Sequence, residues 1–304
     1  MSSVLQNEGK SWSEVYRFVN RRKGNKENIP TIKGCNGGLI TDPVDKANNL
    51  NNYYASVFSC ELNIQDINST PSDKHFSIKS SLIRKRLAMI ARNQSVEPDG
   101  IPGAILKMGG KAMIQYLAQL LDITIKNGTI PRDWKRATVV PIHKGGDRSV
   151  VKNYRPVSLI SVVCKQMEHV IAGYIQVWKY KDWLYEKQHD FRPGYSCESQ
   201  IITVCQDISD SLDEAARLDA ITIGFSKPFD LVPHDWLLKK IAASGVDSRV
   251  VVWIWEFLID SSQRVRVWKH YSEEVRVTSG VPQGSVLGPL LFLAYVNHIW
   301  ENIE

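Results

Sequence analysis

Between Arg132 and Arg155 the chain gathers Arg132, Lys135, Arg136, His143, Lys144, Arg148, Lys152 and Arg155, with Trp134 and Tyr154 among them. Ammonium and guanidinium groups displace the counterions condensed on a phosphate backbone, and aromatic rings offer stacking surfaces for bases, so this mixture suits nucleic acid. A solvated basic face has the same composition. The glycines of the loop HKGGDRS suit a phosphate, yet the GxxxxGK[ST] spacing of a P-loop is absent. The seven histidines are scattered singly without ligand spacing, so no metal is assigned to them. The five cysteines, at 35, 60, 164, 197 and 205, are odd in number and form no CxxC pair. Neither a disulfide framework nor a zinc ribbon is indicated, and a reducing intracellular compartment fits, nucleus and cytoplasm being left open.

The elements that hold these residues belong to a chain of 304 residues with a net charge of +6, of which 43% are hydrophobic and nine are Trp. That composition builds a core and argues against disorder over most of the length. The opening MSSVLQNEGKSW has no apolar core, so no secretory signal is expected. From Arg276 to Glu301 the only charged residues are the two that bound the stretch, but its dense apolar part runs only from Val286 to Val296 and Pro282, Gly284, Gly288 and Pro289 interrupt it. This reads as a turn and a buried helix, not as a membrane span.

Up to about Ser95 the text is polar and patchy, with the basic run Arg21, Arg22, Lys23, the Asn-rich 48–52 and a polar loop at 63–81. This stretch reads as a partly disordered extension or linker, with amphipathic helices around Trp12 to Val19 and Lys46 to Phe58. Beyond it, Met113, Ile114, Leu117, Leu120 and Leu121 repeat at helical spacing until Gly128, and Ala137 to Ile142 reads as a strand. Ile201, Val204, Cys205, Ile208 and Leu212 mark a helical face. Residues 220–225 read as a buried strand. Leu237, Leu238 and Ile241 mark a helix closed by Gly245, and Val250 to Ile259 another. Val265 and Val267 alternate with Arg264 and Arg266 and face Val275 and Val277 across a turn, a hairpin with one basic face. Helices and strands mix without a regular βαβ beat, so the fold class is α+β.

Four strings, KNYRPVSLIS (152–161), QHDFRPGYSC (188–197), FSKPFDLVPH (225–234) and SGVPQGSVLGPLLF (279–292), resemble in order and spacing the reverse transcriptase domain of non-LTR retrotransposons of the LINE or jockey type. The segment from Asn127 to Asp147, with PDGIP upstream, resembles the opening of that domain, and the 1–95 stretch, including NNYYASVF, more weakly resembles the linker before it. The resemblance implies a right-hand polymerase: fingers over 96–215, a palm from 216 to 304, RNA template and DNA primer as partners, and Mg2+ ions held by three aspartates. It places Arg155 and Arg192 near the incoming triphosphate or template, Gln283 beside the nucleotide, and Gly280, Gly284 and Gly288 where backbone approaches nucleic acid. Phe229 matches the ring beneath the sugar that excludes a 2′ hydroxyl. On the residues alone the two arginines also suit surface ion pairs, Gln283 a strand-to-helix turn, and Phe229 an ordinary core.

The chain departs from the family where its chemistry lies. Gly224 stands at the position of the first metal-binding aspartate, and a glycine has no side-chain oxygen for a hard cation. Asp230 lies six residues farther on and does not replace it. Pro228 replaces a small residue, and Asp190 puts a negative charge where the family has glycine. The chain stops at Glu304, before the aromatic-Ala-Asp-Asp hairpin that carries the other two carboxylates. On this reading the palm is incomplete, the thumb absent, no catalytic or metal-binding residue remains, and the chain is inactive. Nucleic-acid binding by a vestigial fingers surface is the alternative. An incomplete palm also implies an uncovered apolar face on the helix at 289–300 and self-association.

Overall fold

The computed structural model describes residues 29–34, 36–59, 76–91, 98–179 and 183–299. The elements, in chain order, are β1 (Ile32–Lys33), β2 (Leu39–Ile40), α1 (Pro43–Ala55), α2 (Ser80–Met89), α3 (Gly103–Met108) and α4 (Gly110–Asn127). Then follow β3 (Arg136–His143), β4 (Tyr154–Leu159), α5 (Val162–Lys179), α6 (Cys197–Asp213), α7 (His234–Ala243) and α8 (Ser248–Leu258). β5 (Ser262–Val267), β6 (His270–Tyr271), β7 (Val275–Arg276) and α9 (Leu287–Val296) complete the α+β arrangement. Local chemistry sets the helix ends. Asp42 accepts hydrogen bonds from the amides of Val44 and Asp45, with Pro43 at the first turn of α1. Gly128, at φ 60°, closes α4 in the left-handed conformation. Asp247 caps α8 through the Arg249 amide.

The main sheet runs β4-β3-β5-β6, with β7 also on β5. β3 pairs antiparallel with β4 and parallel with β5, so strands from the stretches expected as fingers and as palm share one sheet. Its inner face presents Val139, Tyr154, Val265 and Val267 to Ile32, Ala47, Leu50 and Tyr54 of β1 and α1. Asn51 ties α1 to this face, accepting from Gln263 at 3.1 Å and donating to the Glu273 carbonyl at 2.9 Å. Part of the stretch expected as an extension therefore forms a layer of the fold. A second, larger core lies among α2, α4, α5, α7, α8 and α9, with Leu121, Met167, Ile171, Leu238, Trp253 and Leu287 near its centre.

Two expectations are corrected. Residues 220–225 are not a strand: they carry no regular structure, and Ile221 and Ile223 are 88% and 66% exposed. Gly224 weakens any strand there, and no neighbouring strand among the described residues offers its backbone a ladder. The α9 helix is not left uncovered, because Leu287, Leu290, Leu291, Leu293 and Ala294 are buried and α5 and α7 close over it. The apolar stripe of α6 forms a helix as read, with Ser196 and Ser199 in a reciprocal capping box, but none of its residues is buried. The helix around Trp12 to Val19, the run at 21–23 and most of the polar loop at 63–81 lie outside the described residues. Among those residues, no helix is long and apolar enough to cross a membrane.

Candidate functional site

The turn 279–286 is where the distant strings meet. Gly280 donates its amide to the Val232 carbonyl at 2.8 Å, and Val281 donates to Phe229 at 2.8 Å. Ser279 Oγ donates to the Asp230 carbonyl at 2.8 Å, and His234 Nε2 donates to the Gly280 carbonyl at 2.7 Å. From the other side, Ser158 of β4 donates its amide to the Gln283 carbonyl at 2.7 Å. The glycines permit this approach. A Cβ on Gly280, at φ +90°, would lie 2.8 Å from the backbone of Asp230 and Phe229, and one on Gly284, at φ +100°, would lie 2.9 Å from the Ser158 carbonyl.

At the centre, Gln283 Nε2 donates to Asp230 Oδ1 at 3.0 Å. Burial pushes the Asp230 carboxyl above its ordinary pKa, against the opposing pull of the Gln283 hydrogen bond and the Lys227 charge. Lys227 itself holds a left-handed φ of 52° and sets its ammonium 4.2 Å from the centre of the Tyr53 ring on α1. A cavity of about 50 Å³ beside Asp230 and Gln283 is walled by Pro156 and Ser158.

Below the junction, Glu168 of α5 is fully buried, and its Oε2 accepts from the amides of Val286 and Leu287 at 2.7 and 2.9 Å. A carboxylate there caps the first turn of α9 and fixes the end of the turn. Burial nevertheless raises its pKa to about 7, the two amides holding back a larger rise. Sequence reasoning missed Glu168, Lys227 and Tyr53. Glu168 reads as one more polar position on a helix, and its partners lie more than a hundred residues away.

The expected site residues are brought together unevenly. Phe229 stacks on Phe292 with ring centres 4.6 Å apart, and Phe191 meets it edge-on at 5.8 Å, so the second string joins the junction through its aromatic residue. Arg192, in contrast, organises its own loop. Its guanidinium donates to the carbonyls of Tyr185 and Glu186 and lies 4.4 Å over the Tyr195 ring. Arg155 is exposed, opposite Ile142 in the β3–β4 ladder. Strand alternation puts it on the face opposite to Pro156 and Ser158, which wall the cavity. Gly224 is exposed, with open space where a side chain would stand. Asp190 is exposed, and its backbone carbonyl accepts from Gln188 at 3.5 Å.

The comparison with known proteins accords with this convergence. Residues 142–304, more than half of the chain, match the family model described as reverse transcriptase (RNA-dependent DNA polymerase). Among curated relatives, the probable RNA-directed DNA polymerase from transposon BS of Drosophila melanogaster is 32% identical over 65% of this chain. That from the X-element of the same organism is 28% identical over 67%, and that from the mobile element jockey 24% identical over 93%. The matched regions cover 22%, 23% and 32% of those relatives, so the chain spans about a fifth to a third of their length. The chain belongs to the reverse transcriptase (RNA-dependent DNA polymerase) family and is a reverse transcriptase domain of the non-LTR retrotransposon type.

Proposed function

We propose that this chain holds an RNA template and a DNA primer in the manner of a reverse transcriptase but does not join nucleotides. In that reading β3 and β4 belong to the fingers and the segment from 216 onward, with β5, β6 and β7, to the palm, so that one sheet joins the two parts. The observation that carries the binding half is the junction itself, where four strings far apart in sequence meet around the Asp230–Gln283 hydrogen bond. Gln283 is held at its side-chain amide by Asp230 and at its backbone carbonyl by the Ser158 amide, so it meets an incoming nucleotide without first losing side-chain freedom. Phe229, clamped between Phe191 and Phe292, is a rigid ring able to crowd a sugar 2′ position. Arg155 supplies a free guanidinium for phosphate.

The family generally uses divalent metal ions, which activate a hydroxyl and neutralise the triphosphate when bound. The residues present do not fit such an ion. Gly224 offers no ligand, the Asp230 carboxylate is engaged by Gln283 and disfavoured by burial, and among the described residues no three acidic, His or Cys side chains cluster to hold a metal. The exposed apolar residues of α6 and of 218–225 give the same chain a surface for a second copy.

An RNA template annealed to a DNA primer should bind with an affinity that falls as salt rises. Arg155→Ala should weaken that binding while leaving circular dichroism unchanged, and Arg192→Ala added to it should weaken binding further by loosening the loop that its guanidinium holds. Affinity indifferent to both would refute the binding half, and incorporation of deoxynucleotides would refute the other.

A further inference from the structure

Two surfaces of this chain stand open and have opposite chemistry. The first is α6, none of whose residues is buried. It carries Glu198, Asp207, Asp210 and Asp213 and no Lys, Arg or His. Its apolar stripe runs through Ile201, Val204, Cys205, Ile208 and Leu212. At about 3.6 residues per turn, Glu198 and Asp207 flank that stripe on its two sides, and Asp210 and Asp213 lie behind it.

The second is an open cleft of about 690 Å³ among α2, α3 and α4. Leu87, Ala104, Met108 and Ile114 line it together with Arg84 and Lys107. α2 and α3 contain Arg84, Lys85, Arg86 and Lys107 and no carboxylate. Arg84 and Lys107 have no ion-pair partner among the described residues. Met108 is 85% exposed, and Met89 and Ile105 are exposed on the same two helices. Methionine side chains adapt to varied apolar shapes, which suits a groove that receives a helix. The cleft shares no lining residue with the cavity beside Asp230 and Gln283.

Each surface supplies what the other lacks. An amphipathic helix with acidic edges fits an apolar cleft with a basic rim. Within one copy both faces are open, so α6 does not fill the cleft of its own chain. Pairing α6 with a second α6 would bring two wholly acidic helices together with no cation between them. A phosphate backbone in the cleft would leave its apolar lining wet. We propose that α6 of one copy docks across the α2–α3–α4 cleft of a second copy, its stripe on Leu87, Met108 and Ile114 and its carboxylates toward Arg84 and Lys107. The proposal rests on the reading of α6 as a surface for a second copy and names the face that it meets. The contact is heterologous: a dimer keeps one free α6 and one free cleft, so assembly continues beyond two copies unless a ring closes.

The test is sedimentation velocity of the full chain, free of nucleic acid, over a concentration series, with two variants at exposed positions. Ile201→Glu with Leu212→Glu blocks α6, and Arg84→Glu with Met108→Glu blocks the cleft. Wild type should gain mass with concentration. Each variant alone should dissociate about tenfold or more readily than wild type and melt as wild type does. Mixed in equal amounts, the two should form a one-to-one dimer and nothing larger, because one keeps an intact cleft and the other an intact α6. A mixture that stays monomeric overturns the proposal. If the cleft variant associates as wild type does while the α6 variant does not, the cleft assignment fails and the reading of α6 as a surface for a second copy stands. A wild type that is monomeric at every concentration removes both. If the cleft variant loses affinity for an RNA–DNA duplex with its sedimentation unchanged, the cleft serves nucleic acid and the proposal is wrong.

Discussion

α9 and α6 are both helices with an apolar message, and they meet opposite fates. α9 is apolar on every side and is enclosed by α5, α7 and the capping carboxylate of Glu168. α6 has an apolar stripe and a well-formed capping box, yet Ile201, Ile202, Val204 and Leu212 are all exposed, as are Leu218, Ile221, Ile223 and Phe225 just beyond it. Periodicity and capping therefore specify that a helix forms, while burial requires a second surface that the helix's own sequence does not contain. The contrast also separates the junction from the Gly224 segment. Glycines 280 and 284 sit in a packed turn where no side chain fits, and Gly224 sits in open space.

The largest difference between the two regions should appear on truncating one side chain in each. Leu291, 1% exposed in α9, should cost about 4 kcal/mol as Leu291→Ala, through lost burial and a residual cavity. Ile221→Ala, at an 88% exposed position, should change stability by less than about 0.5 kcal/mol. Denaturant midpoints of the two variants check this, and equal losses would mean that 218–225 is covered in solution.

The next effect concerns pH. Burial raises the folded pKa of Glu168 from its ordinary 4.5 to about 7, so the folded state holds that proton more tightly than the unfolded chain. Its stabilising contribution is fully present below the unfolded value and is lost as pH rises through about 7. Wild type should therefore lose about 3 kcal/mol relative to Glu168→Gln between pH 4.5 and pH 7.5. Denaturation of both proteins at each pH isolates this group from the carboxylates of Asp247 and Glu274, whose pKa values are lowered and act in the opposite direction. A constant difference would mean that water reaches Glu168.

Gly280→Ala should cost about 2–3 kcal/mol, from a left-handed φ and a Cβ pressed on the backbone of Asp230. Gly224→Ala should be close to neutral. The smallest effect is on stability and the informative one is on association: Ile201→Lys with Leu212→Lys should leave the melting point nearly unchanged and shift sedimentation toward monomer. A wild type that sediments as a monomer at all concentrations would remove the second copy from the account.

Much of the fold was legible in the sequence because its signals are local. The short apolar run read as a strand at Ala137 to Ile142 lies within β3, α4 repeats at helical spacing and ends on Gly128, and α8 runs nearly as its apolar stretch predicts. The strings around Gln283 and Phe229 were legible as a resemblance, and the structure brings them into contact. What was not legible is non-local. That Asn51 of the N-terminal stretch bonds to Gln263 and Glu273, or that Glu168 caps α9, depends on chain segments between about a hundred and more than two hundred residues apart. No spacing rule reports such a pairing. The strand expected at 220–225 failed for the complementary reason: the apolar alternation of Ile221, Ile223 and Phe225 is present, but a strand needs a neighbour to bond with, and Gly224 weakens it further.

The central claim is that the junction around Asp230 and Gln283 can hold a template and primer while the glycine at 224 leaves the site without the carboxylate needed for copying. A primer-extension reaction with Mg2+, run at a protein concentration where gel shift shows the RNA–DNA duplex bound, tests it most directly. The account predicts a bound duplex and a primer of unchanged length; a primer extended by the unmodified chain would contradict it.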